Sequence, residues 1–269
     1  MTLGPAALLA AYDAQLRGHL PDLPPGVQAE RDGPLVRTVG WSHGGMIEYR
    51  DLGGLEGAAL DEVIARQVQI FAQRGESFEW KSHGHDLPPD LPGRLRSAGF
   101  VAEPQETVVV APTAAIAPEP ALPPRVSLRE VTDEAGFHRV AAMEARIWGG
   151  DHRQGIAELL TARRAFDPQS LSVFAAEASG EVICAGWIRF RGADVSFATL
   201  QGGATLPEWR SRGFYRALVS RRAVLAAERG CDYLQVDASD DSRPILERLG
   251  FVPIATTTPF RWSPPRRGC

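Results

Sequence analysis

The sequence predicts an α/β (α+β) protein made of two related halves: a C-terminal half with a mixed, mostly antiparallel sheet flanked by helices, and a truncated N-terminal copy. Three observations carry this. Residues 126–269 alternate between short two-periodic runs and helical runs, in the order β-α-α-β-β-β-α-β-α-β. Part of that order recurs upstream at near-constant spacing. A stretch with five prolines, Ala111–Arg125, stands between the copies. Proline fixes φ and removes a backbone donor, so this stretch reads as an extended linker. The implied domains are 1–113, a linker at 114–125, and 126–269.

The elements of the second half follow in order. Val126–Val131 alternates as a strand. Asp133–Trp148 has helical spacing, with Thr132 or Asp133 as N-cap. Gly155–Phe166 is a second helix, stopped at Asp167-Pro168. Three strands follow at Leu171–Ala178, Val182–Arg191 and Val195–Leu206, the first two joined by a turn at Ser179-Gly180-Glu181. A long helix runs from about Gly213 to Glu228, with Phe214, Leu218 and Leu225 on its core face and Gly230 beyond its end. Then come a strand at Tyr233–Val236, a short helix at Asp240–Leu249, and a final pair of strands through Val252 and Phe260.

The repeat is specific in order as well as composition. Ala72-Gln73-Arg74-Gly75 matches Ala227-Glu228-Arg229-Gly230, and Phe78–Lys81 matches Tyr233–Val236 at the same offset of 155. Gly99-Phe100-Val101 matches Gly250-Phe251-Val252 at an offset of 151. A helix–strand–helix–strand match in one order indicates duplication.

Composition excludes several classes. With 269 residues, 44% hydrophobic and 23% charged, the chain is neither a disordered tail nor a coiled coil. No apolar run is long enough to span a membrane, and Leu3–Ala11 lacks the basic lead of a secretory signal. Cys184, Cys231 and Cys269 form no disulfide framework, which fits a reducing compartment; a cytoplasmic protein is expected. The net charge of −4 argues against a nucleic-acid binder. Charge is uneven, however: residues 1–120 carry 9 basic and 16 acidic side chains, and residues 121–269 carry 20 and 17. The second half is the better host for an anion.

Thr205–Leu218 (TLPEWRSRGFYRAL) lies between a predicted strand and the predicted long helix. Amides at a helix N-terminus lack internal partners, and the macrodipole adds positive charge there. A glycine lets the backbone approach a phosphate, and Arg210 and Arg212 add full charges. A diphosphate cradle is one reading; a strand–helix turn with a solvated basic face is the other.

At this point the chain resembles the GNAT acyltransferases, which use acetyl-CoA. Their cradle is Gln/Arg-x-x-Gly-x-Gly/Ala after a strand ending roughly hydrophobic-x-Pro-Glu-x-Arg. Here the stretch reads Leu206-Pro207-Glu208-Trp209-Arg210-Ser211-Arg212-Gly213-Phe214-Tyr215: Arg210 and Gly213 match, and Tyr215 replaces Gly/Ala. The element order of 126–269 and the closing Leu249-Gly250-Phe251 resemble the family too. The resemblance implies acetyl-CoA as cosubstrate, with the amides of Ser211, Arg212, Gly213, Phe214 and Tyr215 on its diphosphate. The pantetheine would run along Ala204, Thr205 and Leu206, with Ser239 in hydrogen-bond reach. The amides of Thr205 and Leu206 would polarise the thioester, and an amine would attack directly in a ternary complex. The acceptor is expected to be a small-molecule or peptide amine; no nucleic acid, membrane or metal is implied.

Two departures from the family matter. Its Tyr acid falls on Leu246, with Ser239 and Ser242 at the preceding Asn and Ala positions, so Ser242 is a substitute donor or a helix cap. No carboxylate lies on the Ser196–Leu206 strand, and Gln201 cannot serve as a base. Candidate bases are Asp237 at a strand end, Glu144 on what reads as an exposed helix face, and Asp151 or His152 in the loop after that helix. Gly202-Gly203 would either clear an acceptor slot or form a β-bulge. In the N-terminal copy, Leu55, Ala58 and Leu60 occupy the positions of Arg210, Gly213 and Tyr215, so that copy holds no comparable cradle. His83-Gly84-His85-Asp86 lacks an evident third or fourth metal ligand. An N-acyltransferase is the leading expectation; a non-catalytic CoA-binding sensor or partner protein is the alternative.

Overall fold

The computed structural model describes residues 3–20, 23–42, 44–149, 152–192 and 194–265. In chain order the elements are α1 (Pro5–Leu16), β1 (Gln28–Asp32), β2 (Leu35–Val39), β3 (Gly45–Glu48), α2 (Gly57–Arg74), β4 (Phe78–His83), α3 (Leu91–Ser97), β5 (Val101–Ala102), β6 (Glu106–Pro112), β7 (Val126–Val131), α4 (Glu134–Trp148), α5 (His152–Phe166), β8 (Leu171–Ala178), β9 (Glu181–Phe190), β10 (Phe197–Thr205), α6 (Phe214–Glu228), β11 (Tyr233–Ala238), α7 (Arg243–Arg248) and β12 (Val252–Trp262). Asp133 caps α4, its carboxylate accepting from the Gly136 amide at 2.6 Å. Ser242 takes the N-cap place of α7 without a side-chain capping bond.

The chain forms two compact units, and their limits differ from the expected linker boundary. One comprises Ala6–Val108 and the chain from Ile254; the other comprises Met1–Pro5 and Val109–Pro253. The divisions fall inside β6 and β12. The physical reason is strand pairing and burial. Thr257–Trp262 of β12 pairs antiparallel with His83–Phe78 of β4. Phe260 and Trp262 are buried with Phe71, Phe78, Trp80 and Phe100. Likewise Val109 and Ala111 of β6 are buried with Phe174, Leu218 and Leu234. The proline-rich stretch belongs to the second unit: Thr113 bonds the Cys231 carbonyl at 2.9 Å, and Glu119 pairs with Arg221 at 2.6 Å. The expected final pair of strands is one continuous strand, β12.

In the unit holding most of the C-terminal half, the strand order is β6-β11-β10-β9-β8-β7. β7, β8, β9 and β10 are antiparallel neighbours, and β10 runs parallel to β11. α4 and α5 cover one face through Phe137, Val140, Met143 and Leu160. α6 covers the other through Phe214, Leu218 and Val219. The N-terminal unit runs β1-β2-β3-β4-β12. Its β3 and β4 are parallel over three residue pairs and are joined through α2, as β10 and β11 are joined through α6.

Phe260→Ala should destabilise the N-terminal unit by about 3–5 kcal/mol, as truncating a buried Phe leaves a cavity, although the residue lies near the end of the sequence. Urea unfolding should show the earlier midpoint; an unchanged midpoint would mean that β12 adds nothing to that core.

Candidate active site

β10 and β11 pair only at Phe197–Thr199 and Tyr233–Gln235. Beyond Thr199, β10 stays with β9 alone, so two parallel neighbours part into a V. On the β9 side, Gln201 opposes Trp187 and Ala204 opposes Ala185, so Gly202 and Gly203 share one partner, Gly186. That is a β-bulge. Gly202 has φ +59, and a Cβ there would overlap the Trp187 ring. A Cβ on Gly203 would come 2.8 Å from Cε2 of Tyr215. The bulge therefore needs both glycines. Gly203 also makes room for Tyr215, which stands where the family pattern has a small residue.

Arg222 pins the bulge. It is 1% exposed. Its Nη1 donates to the Trp187 carbonyl at 3.0 Å and the Gln201 carbonyl at 3.4 Å, and its Nε donates to Leu218 at 3.1 Å. One guanidinium thus ties β9, β10 and α6 together. Burial pulls its pKa down. No local pattern announces this, since Arg222 reads as one more arginine on a helix.

Past the bulge, Thr205 donates its hydroxyl to the Cys184 sulfur at 3.2 Å. The Leu206 amide donates to the Ile183 carbonyl at 3.0 Å. That bond corrects one expectation: the Leu206 amide is spent on β9 and is not offered to a thioester. A turn at Pro207–Trp209 follows. Ser211 has φ +61 and Gly213 has φ +85, left-handed values that swing successive N–H groups to one side. The amides of Ser211, Arg212, Gly213, Phe214 and Tyr215 find no acceptor among the described residues. They open the 15-residue helix α6, which has no side-chain cap. Unpartnered amides opening a helix are a geometry that suits an anion, the role expected of this stretch from the sequence. Arg212 stacks over Trp209 at 5.0 Å, and Arg210 reaches back to the Thr205 carbonyl at 3.3 Å.

The remaining candidates separate. Asp237 lies on β11, two residues beyond its pairing with β10, and accepts from Gln235 at 2.8 Å. The Ser239 and Ser242 hydroxyls lie 3.2 Å apart. Leu246 is wholly buried. Asp151 and the side chain of His152 lie outside the described residues. Glu144 departs most from expectation. It is 3% exposed, not on an outer face. Its Oε1 has no partner, and burial pushes the carboxyl up to about 7 despite a hydrogen bond from Trp148. Sequence periodicity missed this because the polar side chain shares the inner face with Val140 and Met143. Nearby, Arg146 pairs with Glu181 and, at 2.7 Å, with Glu208 in the turn before the cradle.

In the N-terminal unit, the segment before α2 (Leu52–Glu56) lines a cavity of about 700 Å³. Arg17 in that cavity is held by Asp86 at 2.6 Å and Asp13 at 3.0 Å. Asp86 also accepts from Tyr49 at 2.5 Å and from the His83 amide at 2.7 Å. The His83–Asp86 segment is therefore knitted into an arginine-centred network.

Against known proteins, residues 137–251 match the model of the acetyltransferase (GNAT) family. Residues 137–251 are a GNAT domain. No curated protein matches the sequence. Among solved structures, the chain is similar to a GCN5-related N-acetyltransferase from Kribbella flavida, with 16% identity, 98% of this chain and 97% of the other covered, and a TM-score of 0.67. It is also similar to a tandem GNAT protein from the clavulanic acid biosynthesis pathway, with 14% identity, 89% and 84% covered, and a TM-score of 0.60. The GNAT domain contains both the V and the cradle. Among the described residues no helix is long and apolar enough to cross a membrane.

Two outcomes follow for the GNAT domain. Gly202→Ala should cost about 1–3 kcal/mol through overpacking against Trp187 and lower the thermal midpoint accordingly. Glu144→Gln should do the reverse, with a pH signature. The folded carboxyl titrates near 7 against an ordinary 4.5. The parent therefore loses stability as pH rises from about 4.5 to 7, where only the unfolded chain gives up the proton freely, by an amount on the order of 3 kcal/mol. Denaturation at pH 4 should show parent and Glu144→Gln alike; at pH 8 the variant should be the more stable.

Proposed function

We propose that this protein is an N-acetyltransferase that moves the acetyl group of acetyl-CoA to a primary amine by direct attack in a ternary complex. The observation that carries this reading is that β10 leaves β11 beyond Thr199 and leads, through one turn, to the unpartnered amides of Ser211–Tyr215. Those amides suit a diphosphate, because they are preorganised donors at the positive end of a helix. Gly213 fits the same role: at φ +85 it carries no side chain where a phosphate must approach. Ala204 and Thr205 would border the pantetheine arm, with Ser239 across the opening.

A bulge leaves its extra residue out of the strand ladder. With the Leu206 amide committed to Ile183, the 202–203 peptides and Thr205 are the backbone groups that could polarise the thioester carbonyl. Fixed dipoles of this kind stabilise the oxyanion without reorganising. The activity is assigned in this reading to the unit that holds Val109–Pro253, in place of the expected 126–269, with the other unit as a degenerate copy that holds no CoA.

One observation favours the second reading, a non-catalytic CoA-binding protein: the position of the family's tyrosine acid is the buried Leu246. Release of free thiol from acetyl-CoA, with a mixed panel of primary amines, separates the two. Calorimetry should give one acetyl-CoA site per chain. Gly213→Glu should weaken that binding at least a hundredfold, since a few kcal/mol are lost and ~1.4 kcal/mol is tenfold. Arg210→Ala should cost about tenfold or less. Unchanged affinity in a folded Gly213→Glu protein would place the diphosphate elsewhere.

A further inference from the structure

Buried carboxylates ordinarily neutralise a cation or cap a helix. Glu144 does neither. Among the described residues it makes no ion pair, and its Oε1 is without a hydrogen-bond partner. It sits in the last turn of α4, whose inner side chains Val140 and Met143 pack with Ala185 and Trp187 of β9, Ala204 of β10 and Leu206 just beyond it. These are the residues around the bulge, where β10 has already left β11. Cys184 of β9 takes the Thr205 hydroxyl on its sulfur at the last registered β9–β10 pair. Two residues along the helix, Arg146 clamps this turn to Glu181 at the start of β9 and to Glu208 beside the cradle.

We propose that Glu144 is the general base of the acetyl transfer, taking a proton from the incoming amine at the acyl end of the V, directly or through one water. This rests on the acetyltransferase reading above. The carboxylate accepts one proton from the ammonium, which frees the nitrogen lone pair. The nitrogen bonds to the thioester carbonyl carbon, the C–S bond breaks, and the electron pair leaves with sulfur. The second nitrogen proton passes to the thiolate, giving amide and CoA thiol, and Glu144 returns its proton to solvent.

The surroundings suit a base that titrates near neutrality. Cys184 of β9 is pushed up to about 11 and stays neutral there. The α5 charges Glu158, Arg163 and Arg164 do not contribute to the shift of Glu144, which comes from burial against the Trp148 hydrogen bond. Arg146 is engaged with Glu181 and Glu208. The site also keeps this carboxyl at a cost in stability above neutral pH, which a structural role does not require.

The test combines a titration with a rate. Infrared difference spectra of the parent against Glu144→Gln follow the protonated carboxyl with pH, in the free protein, with ADP, and with acetyl-CoA. The expected midpoint is about 7, raised by acetyl-CoA and unmoved by ADP, which carries a diphosphate but no pantetheine arm. Thiol release from acetyl-CoA, with the amine panel and with water alone, should rise with pH through the same midpoint. Glu144→Gln should lower it at least a hundredfold and abolish the inflection, with acetyl-CoA affinity within about threefold of the parent. Glu144→Asp should keep an inflection at a reduced rate. A midpoint in the ordinary carboxyl range, a midpoint that acetyl-CoA leaves unmoved, or a Glu144→Gln protein that retains rate and inflection overturns the assignment. Failure of the parent to bind acetyl-CoA overturns the acetyltransferase reading and this one with it. Binding with any of the other failures overturns this one alone.

Discussion

The C-terminal unit depends on a single arginine placed where an arginine is expensive. Arg222 is buried with no carboxylate among its bonded partners, and three backbone carbonyls take its donors. Desolvating a guanidinium costs several kcal/mol unless its hydrogen bonds are met. Here they are met by the Trp187 and Gln201 carbonyls at the bulge and by the Leu218 carbonyl one turn back along α6. The arginine therefore ties the bulge to the helix, at the stretch where β10 has parted from β11.

The rest of the site follows from that opening. Gly203 is bare, so Tyr215 fits beneath it and α6 can begin close to the strand. α6 then starts with left-handed residues and unmet amides, and the turn that leads into it is tied to α4 by Arg146 and Glu208. α4 in turn brings a carboxyl into the apolar layer on the other face of the sheet. The unit thus buries two ionisable groups with no ion-pair partner among the described residues, one per face of the sheet, beside the same distorted stretch of strand. Burial disfavours both ionised forms, pulling the arginine down and the glutamate up.

The N-terminal unit shares part of this scaffold. Its β3–α2–β4 passage keeps the parallel pairing of β10–α6–β11. The helix start, however, offers Leu55 and Glu56 where the other copy offers Arg210 and Ser211, and the polar interior centres on Arg17. Arg17 is balanced by Asp13 and Asp86, and Tyr49 by Asp86, with burial raising the tyrosine's pKa. Two buried atoms of that network, Arg17 Nε and His83 Nδ1, lack a hydrogen-bond partner, as Glu144 Oε1 does in the other unit.

Much of this was written in the sequence. Periodicity, apolar runs and the turn residues between them placed β7 to β11 and α4 to α6 within a few residues. Gly213 marked the start of α6, because a glycine takes φ +85 there without strain. Gly202-Gly203 announced a bulge. What only the tertiary structure decided were long-range partnerships that no local pattern encodes. β12 reads as a strand of the second half, yet Phe260 and Trp262 are buried against Phe78 and Trp80. Leu206 looked like an available amide until Ile183 claimed it. Glu144 and Arg222 looked like ordinary charges on helices. A sequence shows that a side chain is charged; whether water reaches it depends on which distant strand packs over it, and in this protein the strand that does so is a distorted one.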